Sequence, residues 1–252
     1  MTIMTITTFP AVAAIASATD SLAARHTGMH TRDIPSSRDD TAAARAPALA
    51  TALNVGDLVF IRVRAKPFRE VAAATGSWTN HVGIVVDTHG DEPLIGESTF
   101  PFSRFTPLSR FVARSEYQRI AAGRLSRALT HAEQNQVRVA ARRRTGIFYD
   151  TGFNLFSRRQ FCSRYVREVL GEATGVEVGE VQSFGDLYGQ YMHNAPRSGA
   201  PLNFWKLWFF GRIPWKRKTV TPASLLCSPH VHLFFDSALS GSASGSSRLL
   251  PV

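Results

Sequence analysis

The sequence predicts an α+β domain, in which an antiparallel sheet or small barrel precedes a helix with a cysteine in its first turn. Three observations carry this reading. Residues 81–87 form an apolar, β-rich run that leads through the turn His89-Gly90-Asp91 into a second such run at 94–98, as a hairpin requires. Residues 161–170 place Cys162, Tyr165, Val166, Val169 and Leu170 at helical spacing, with Arg164, Arg167 and Glu168 on the opposite face. The sheet-forming runs come first and the cysteine helix after them.

The elements follow in order. Residues 1–54 are Ala, Thr and Ser with balanced charge, too poor in large apolar side chains to join a core, and are expected to be disordered. Val55-Gly56-Asp57 turns the chain into the first strand, 58–63. Residues 64–80, with Pro67, Gly76 and Trp78, read as a long loop. In the strand at 81–87, His81, Gly83, Val85 and Asp87 share one face and Val82, Ile84 and Val86 the other. A further strand is expected at 117–125. Thr130-His131-Ala132-Glu133 is a capping box that opens a helix running to about Arg144. Residues 146–160 read as a loop, and the cysteine helix is expected to stop at Gly171. Beyond it the chain reads as irregular until a short helix start at 221–226 and a last strand at 231–235, with residues 237–252 as a Ser/Gly-rich flexible tail. The expected domain is therefore 55–236.

Composition narrows the function. At 252 residues and 44% hydrophobic, the chain can bury one substantial core. Its formal charge of +10 lies entirely after Asn54, which fits an acidic partner or surface. No nucleic-acid motif accompanies that charge. Residues 203–218 interleave Phe204, Trp205, Trp208 and Trp215 with Lys206, Lys216, Arg217 and Lys218, without an acidic residue. Such a stretch suits either an anionic membrane interface or an insertion packed over the sheet. It is too short to span a bilayer. The weak, Ala-rich run near the start lacks a preceding positive charge, and two cysteines make no disulfide framework, so a cytoplasmic protein, with peripheral membrane association in view, is expected, and export through that run is the alternative. Cys227 is expected to be buried. His230 and His232 share a strand face without a third ligand, so no metal or other cofactor is expected.

Cys162 has two readings. It is a small core hydrophobe, or it is a nucleophile whose thiolate is favoured by the free N–H groups of the helix start and by Arg158 and Arg159 just before it. His81 at the head of its strand and Glu97 near the end of the next would complete a Cys/His/carboxylate set. Singly, His81 reads equally as a satisfied strand-end residue, Glu97 as a solvated edge carboxylate, and Tyr149 as a packing aromatic.

Taken together, Gly56-Asp57-Leu58-Val59-Phe60, His81-Val82-Gly83-Ile84, Glu97, Tyr149-Asp150, Cys162-Ser163 and Thr221-Pro222 resemble the circularly permuted branch of the NlpC/P60 papain-like superfamily over roughly 55–236. The order His, Glu, Cys is that branch's signature. The resemblance implies Cys162 as nucleophile, His81 as general base, Glu97 as the group that orients the imidazole, and Tyr149 as a substrate or oxyanion contact. Arg164-Tyr165 and Arg158-Arg159 depart from the family pattern and bear on substrate charge. The expected activity is hydrolysis of a peptide or acyl-amide bond through an acyl-enzyme, on a substrate tilted toward lipid-like or membrane-presented amides. A basic, non-enzymatic binding module is the alternative.

Overall fold

The computed structural model describes residues 49–194 and 200–238. After a helical stretch at 49–52, the described residues form these elements in order: β1 (Leu58–Val63), α1 (Lys66–Thr75), β2 (His81–Asp87), β3 (Leu94–Glu97), β4 (Arg104–Pro107), α2 (Leu108–Val112), β5 (Ser115–Leu125), α3 (His131–Arg143), α4 (Cys162–Thr174), β6 (Gln182–Ser183), α5 (Phe184–Asn194), α6 (Ala200–Trp208), β7 (Lys218–Thr219), α7 (Pro222–Leu226) and β8 (Val231–Asp236). Six strands form one antiparallel sheet in the order β4-β3-β2-β1-β5-β8, and β6 pairs with β7 separately. The larger sheet is open, so of the two expected forms the sheet is found and the barrel is not.

The sheet has two apolar faces because its central strands alternate two hydrophobic sets. Phe60, Val82, Ile84 and Val86 pack under Tyr165, Val166, Val169 and Leu170 of α4. Val59, Ile61, Val85 and Ile95 meet Phe111, Leu49 and Leu53 on the other side. Ordered structure thus begins before the expected boundary: residues 49–52 are helical, and Leu49 and Leu53 are buried. The expectation for residues 1–48 and for the tail beyond Ala238 lies outside the described residues.

Helix α3 starts where its capping box places it: the Thr130 side chain accepts from Glu133 N–H, and the Glu133 carboxylate accepts from the Thr130 backbone. Its C-terminal Arg143 and Arg144 pair with Glu172 and Glu168 of α4, which fastens the two helices side by side. Helix α4 runs past Gly171 and stops at Gly175, whose left-handed φ of 71° a glycine adopts without strain. Gly171 lies mid-helix, where a Cβ would meet nothing within 4 Å, so it is tolerated and does not terminate.

Two stretches expected to be irregular are helical. Residues 66–75 form α1, for which Pro67 stands in the first turn and Gly76 closes the end at φ 60°. Proline there opens a helix; reading it as a breaker hid the element. Helices α5 and α6 lie within the span between α4 and Thr221. Both stand beside α1 and not on the sheet's centre.

Candidate active site

Strand β2 begins at His81, which pairs with Ile61 of β1 and is 1% exposed. Its Nε2 lies 2.6 Å from Glu97 Oε2 on the neighbouring strand β3. Glu97 is fully buried and is held by three further groups. Thr106 Oγ1 of β4 donates to Oε1 at 2.7 Å, and Arg114 Nη2 donates to both carboxylate oxygens at 2.8 and 2.7 Å. Arg104 Nε stands 4.0 Å away. Neither Arg114 nor Thr106 was legible in the sequence. Thr106 reaches Glu97 only through the β3–β4 register, and Arg114 through the turn after α2.

Cys162 is the first residue of α4, and its thiol is buried. Phe161, the N-cap, contributes no side-chain hydrogen bond, so no side chain caps the first N–H groups of the helix, of which that of Ser163 serves the thiol. The Ser163 hydroxyl donates to the Val220 carbonyl at 2.7 Å and ties this helix start to the segment before α7. His81 faces Cys162: the Nδ1 left over after Glu97 takes Nε2 is buried and makes no hydrogen bond of ordinary geometry, yet the ring and thiol lie close enough to shift each other's protonation.

Burial by itself would push the imidazole's pKa down. The Cys162 thiolate and then the Glu97 carboxylate outweigh it and raise His81 to about 9. Burial likewise pushes the thiol up, but the nearby His81 charge, with the backbone N–H groups of Val82 and Ser163, brings Cys162 below its ordinary value. Glu97 is also disfavoured as an anion by burial, and His81 with Arg114 reverses this to about 2. The arrangement therefore favours thiolate, imidazolium and carboxylate together. Arg158 and Arg159, expected to supply positive charge, are exposed and do not figure among the groups that set the thiol's protonation.

Tyr149 joins the same cluster. A β-bridge to Gln160, two residues before Cys162, and a hydrogen bond from its N–H to the Pro101 carbonyl at 2.9 Å fix its backbone. Its hydroxyl is buried without a partner. Burial, then the neighbouring Cys162, pushes its pKa well above the ordinary phenol value, so it stays a neutral O–H donor. Cys227 departs from expectation: it follows α7 on the surface and is exposed, because it lies outside that helix's buried positions Pro222 and Leu225.

The aromatic, basic stretch 203–218 turns part of itself inward. Trp205 stacks on Phe209 and meets Phe153, and Trp208 Nε1 donates to the Thr151 carbonyl at 3.0 Å. Leu207, Phe210 and Trp215 are its exposed large apolar side chains. Among the described residues no helix is long and apolar enough to cross a membrane, and no group of three or more His, Cys, Asp and Glu side chains could hold a metal ion.

Comparison with known proteins agrees with the layout of the chain. The uncharacterized protein YiiX of Escherichia coli (strain K12) is 27% identical over 185 residues, which covers 73% of this chain and 87% of that protein. A crystal structure of the metalloprotein yiiX from Escherichia coli O157:H7 shares the fold with a TM-score of 0.66 at 24% identity, covering 73% of this chain and 97% of that one. Residues 52–235 match the family described as permuted papain-like amidase enzyme, YaeF/YiiX, C92, so a sheet that precedes its cysteine helix has a family context, and the chain belongs to that permuted papain-like amidase family.

Proposed function

We propose that the chain is a cysteine amidase that cleaves an amide or related acyl bond through an acyl-enzyme on Cys162. The observation that carries this is the buried Cys162 facing His81, whose other ring nitrogen is held 2.6 Å from Glu97. An amide carbonyl is a poor electrophile, so attack needs a thiolate, a proton for the leaving amine and donors for the oxyanion. The Cys162 thiolate adds to the carbonyl carbon, forming the S–C bond, and the carbonyl electrons move onto oxygen. The Tyr149 hydroxyl and the uncapped N–H groups at the start of α4 are the donors for that oxyanion. His81 Nδ1 then gives its proton to the amine nitrogen as the C–N bond breaks. Water adds to the thioester next, with neutral His81 taking its proton, and breaking the S–C bond returns the thiolate and releases the carboxylic acid. Glu97 stays ionised throughout, holding the imidazole's orientation and supporting its charge. The chain order His81, Glu97, Cys162 supports a place among permuted relatives of NlpC/P60 enzymes.

Iodoacetamide labelling read by peptide mass spectrometry tests the nucleophile. Cys227 is exposed and Cys162 is 3% exposed, so access alone favours Cys227. Faster labelling of Cys162 near neutral pH, lost in His81→Ala, is the expected result. Cys227 labelling first, with no effect of the substitution, would overturn the assignment.

A further inference from the structure

Beside Cys162 opens a cleft of about 810 Å³, counting the solvent at its mouth. Its wall comes from the helices that the sequence hid: Phe68 and Val71 of α1, Leu187 of α5, Leu202 of α6, and Ile213 and Trp215 after it. Although the chain carries a net charge of +10, no charged residue lines this cleft. Four of its polar side chains, Asn80, Thr75, Ser163 and Thr221, are turned back on the protein. Asn80 exchanges two hydrogen bonds with the Val63 backbone, at 2.7 and 3.0 Å. Thr75 donates to the Val71 carbonyl, Ser163 to the Val220 carbonyl, and Thr221 accepts from Ser224 N–H. Among the described residues on the wall, the buried and unpartnered side-chain polar atom is the Tyr149 hydroxyl, which lies beside Cys162 where the reacting carbonyl would sit.

We infer that this cleft holds the acyl side of the substrate, and that the acyl group is a long, unbranched, apolar chain. The inference rests on the cysteine-amidase reading above, for it is Cys162 on the wall that makes the occupant an acyl group. Peptide in the cleft would carry an N–H and a C=O every residue into a mostly apolar wall, where Asn80, Thr75, Ser163 and Thr221 are already engaged with the protein. Each group left unpaired lowers affinity by about tenfold or more. An alkyl chain carries no such groups, and every methylene it buries raises affinity by about fourfold. Segment 203–218 thereby acquires a task at the site. Trp205 and Trp215 help to close the cleft around the chain and away from water.

Fluorogenic aminocoumarin amides with acetyl, butyryl, octanoyl and dodecanoyl groups test this. Expected kcat/KM rises by about a hundredfold or more from butyryl to octanoyl, at about fourfold per methylene. Ala74→Trp, which fills the cleft from α1, should move the optimum to shorter chains. A flat profile, or succinyl preferred over butyryl, overturns the acyl-chain inference and leaves the nucleophile assignment to the labelling result. Should no amide be cleaved and Cys162 prove unreactive, the amidase reading fails instead. Cys162→Ala then decides the cleft by binding: decanoate should change tryptophan fluorescence at a concentration at least about a hundredfold below butanoate, and equal or absent binding of both overturns the inference.

Discussion

Replacing Glu97 with glutamine isolates the charge of the carboxylate from its shape. Glutamine keeps the volume of a fully buried side chain and can still accept from His81 Nε2, now 2.6 Å from Glu97 Oε2. Its amide carries no charge, whereas Arg114, which bridges both carboxylate oxygens, stays. The imidazole would then face a guanidinium without the anion between them. One opposite charge at this range moves a pKa by about 1–3 units, and each unit is tenfold in an ionisation equilibrium. His81, raised to about 9, should therefore fall to about 6–8. A weaker imidazolium supports the thiolate less, so the Cys162 thiol should climb back toward its ordinary value. Iodoacetamide alkylation of Cys162 near pH 7 should slow by about 10- to 100-fold. In amide turnover the acid limb should move up and the alkaline limb down from about 9, narrowing the active window from both sides. Arg114 loses its partner, but its side chain is 29% exposed. Water can take over part of its solvation, so the stability cost is about 1–3 kcal/mol, below that of stranding a fully buried charge. Thermal unfolding should show a folded variant. Alkylation and turnover profiles that superimpose on wild type, in a variant that melts normally, would refute the role given to the carboxylate.

Other outcomes follow from the same geometry. Arg114→Met should act with the opposite sign: freed of its cation, Glu97 gives more to His81, and the alkaline limb of kcat/KM should move above about 9. A merely structural Arg114 would lower the melting temperature and leave that limb in place. Tyr149→Phe removes the unpartnered hydroxyl and should lower kcat by about 10²-fold with little change in KM, as expected for an oxyanion donor; an unchanged kcat would make Tyr149 a packing aromatic. Gly96→Ala places a Cβ 2.7 Å from Tyr165 Oη and 2.8 Å from Val86 Cγ1, beneath α4. Urea unfolding should show a loss of about 1–3 kcal/mol, and wild-type stability would mean that α4 is free to lift off the sheet.

Local signals explain what was legible. Thr130 and Glu133 cap α3 with groups three residues apart, and the helix begins where they stand. Strand β2 and its hairpin partner could be read because alternation and a turn lie within one short stretch. By contrast, α1 was lost because proline has opposite meanings at the first turn and in the middle of a helix, and nothing nearby distinguishes them. Helices α5 and α6 carry apolar residues on more than one side, which blurs their period. Their wider apolar surface serves both the packing of the helices and the wall of the cleft.

By itself the sequence determined that a sheet precedes a cysteine helix and that His81, Glu97 and Cys162 follow in that order, while the place of Tyr149 beside them was implied by the family resemblance. These are properties of order and short-range spacing, which a linear chain carries explicitly. Only the tertiary structure decided that Thr106 and Arg114 converge on Glu97, that Cys227 is exposed, and that Trp205 and Trp215 face a cleft beside the thiol. Each depends on strand register and on helices packed across long separations, where the free energy lies in contacts between distant residues and leaves no period or motif at either end.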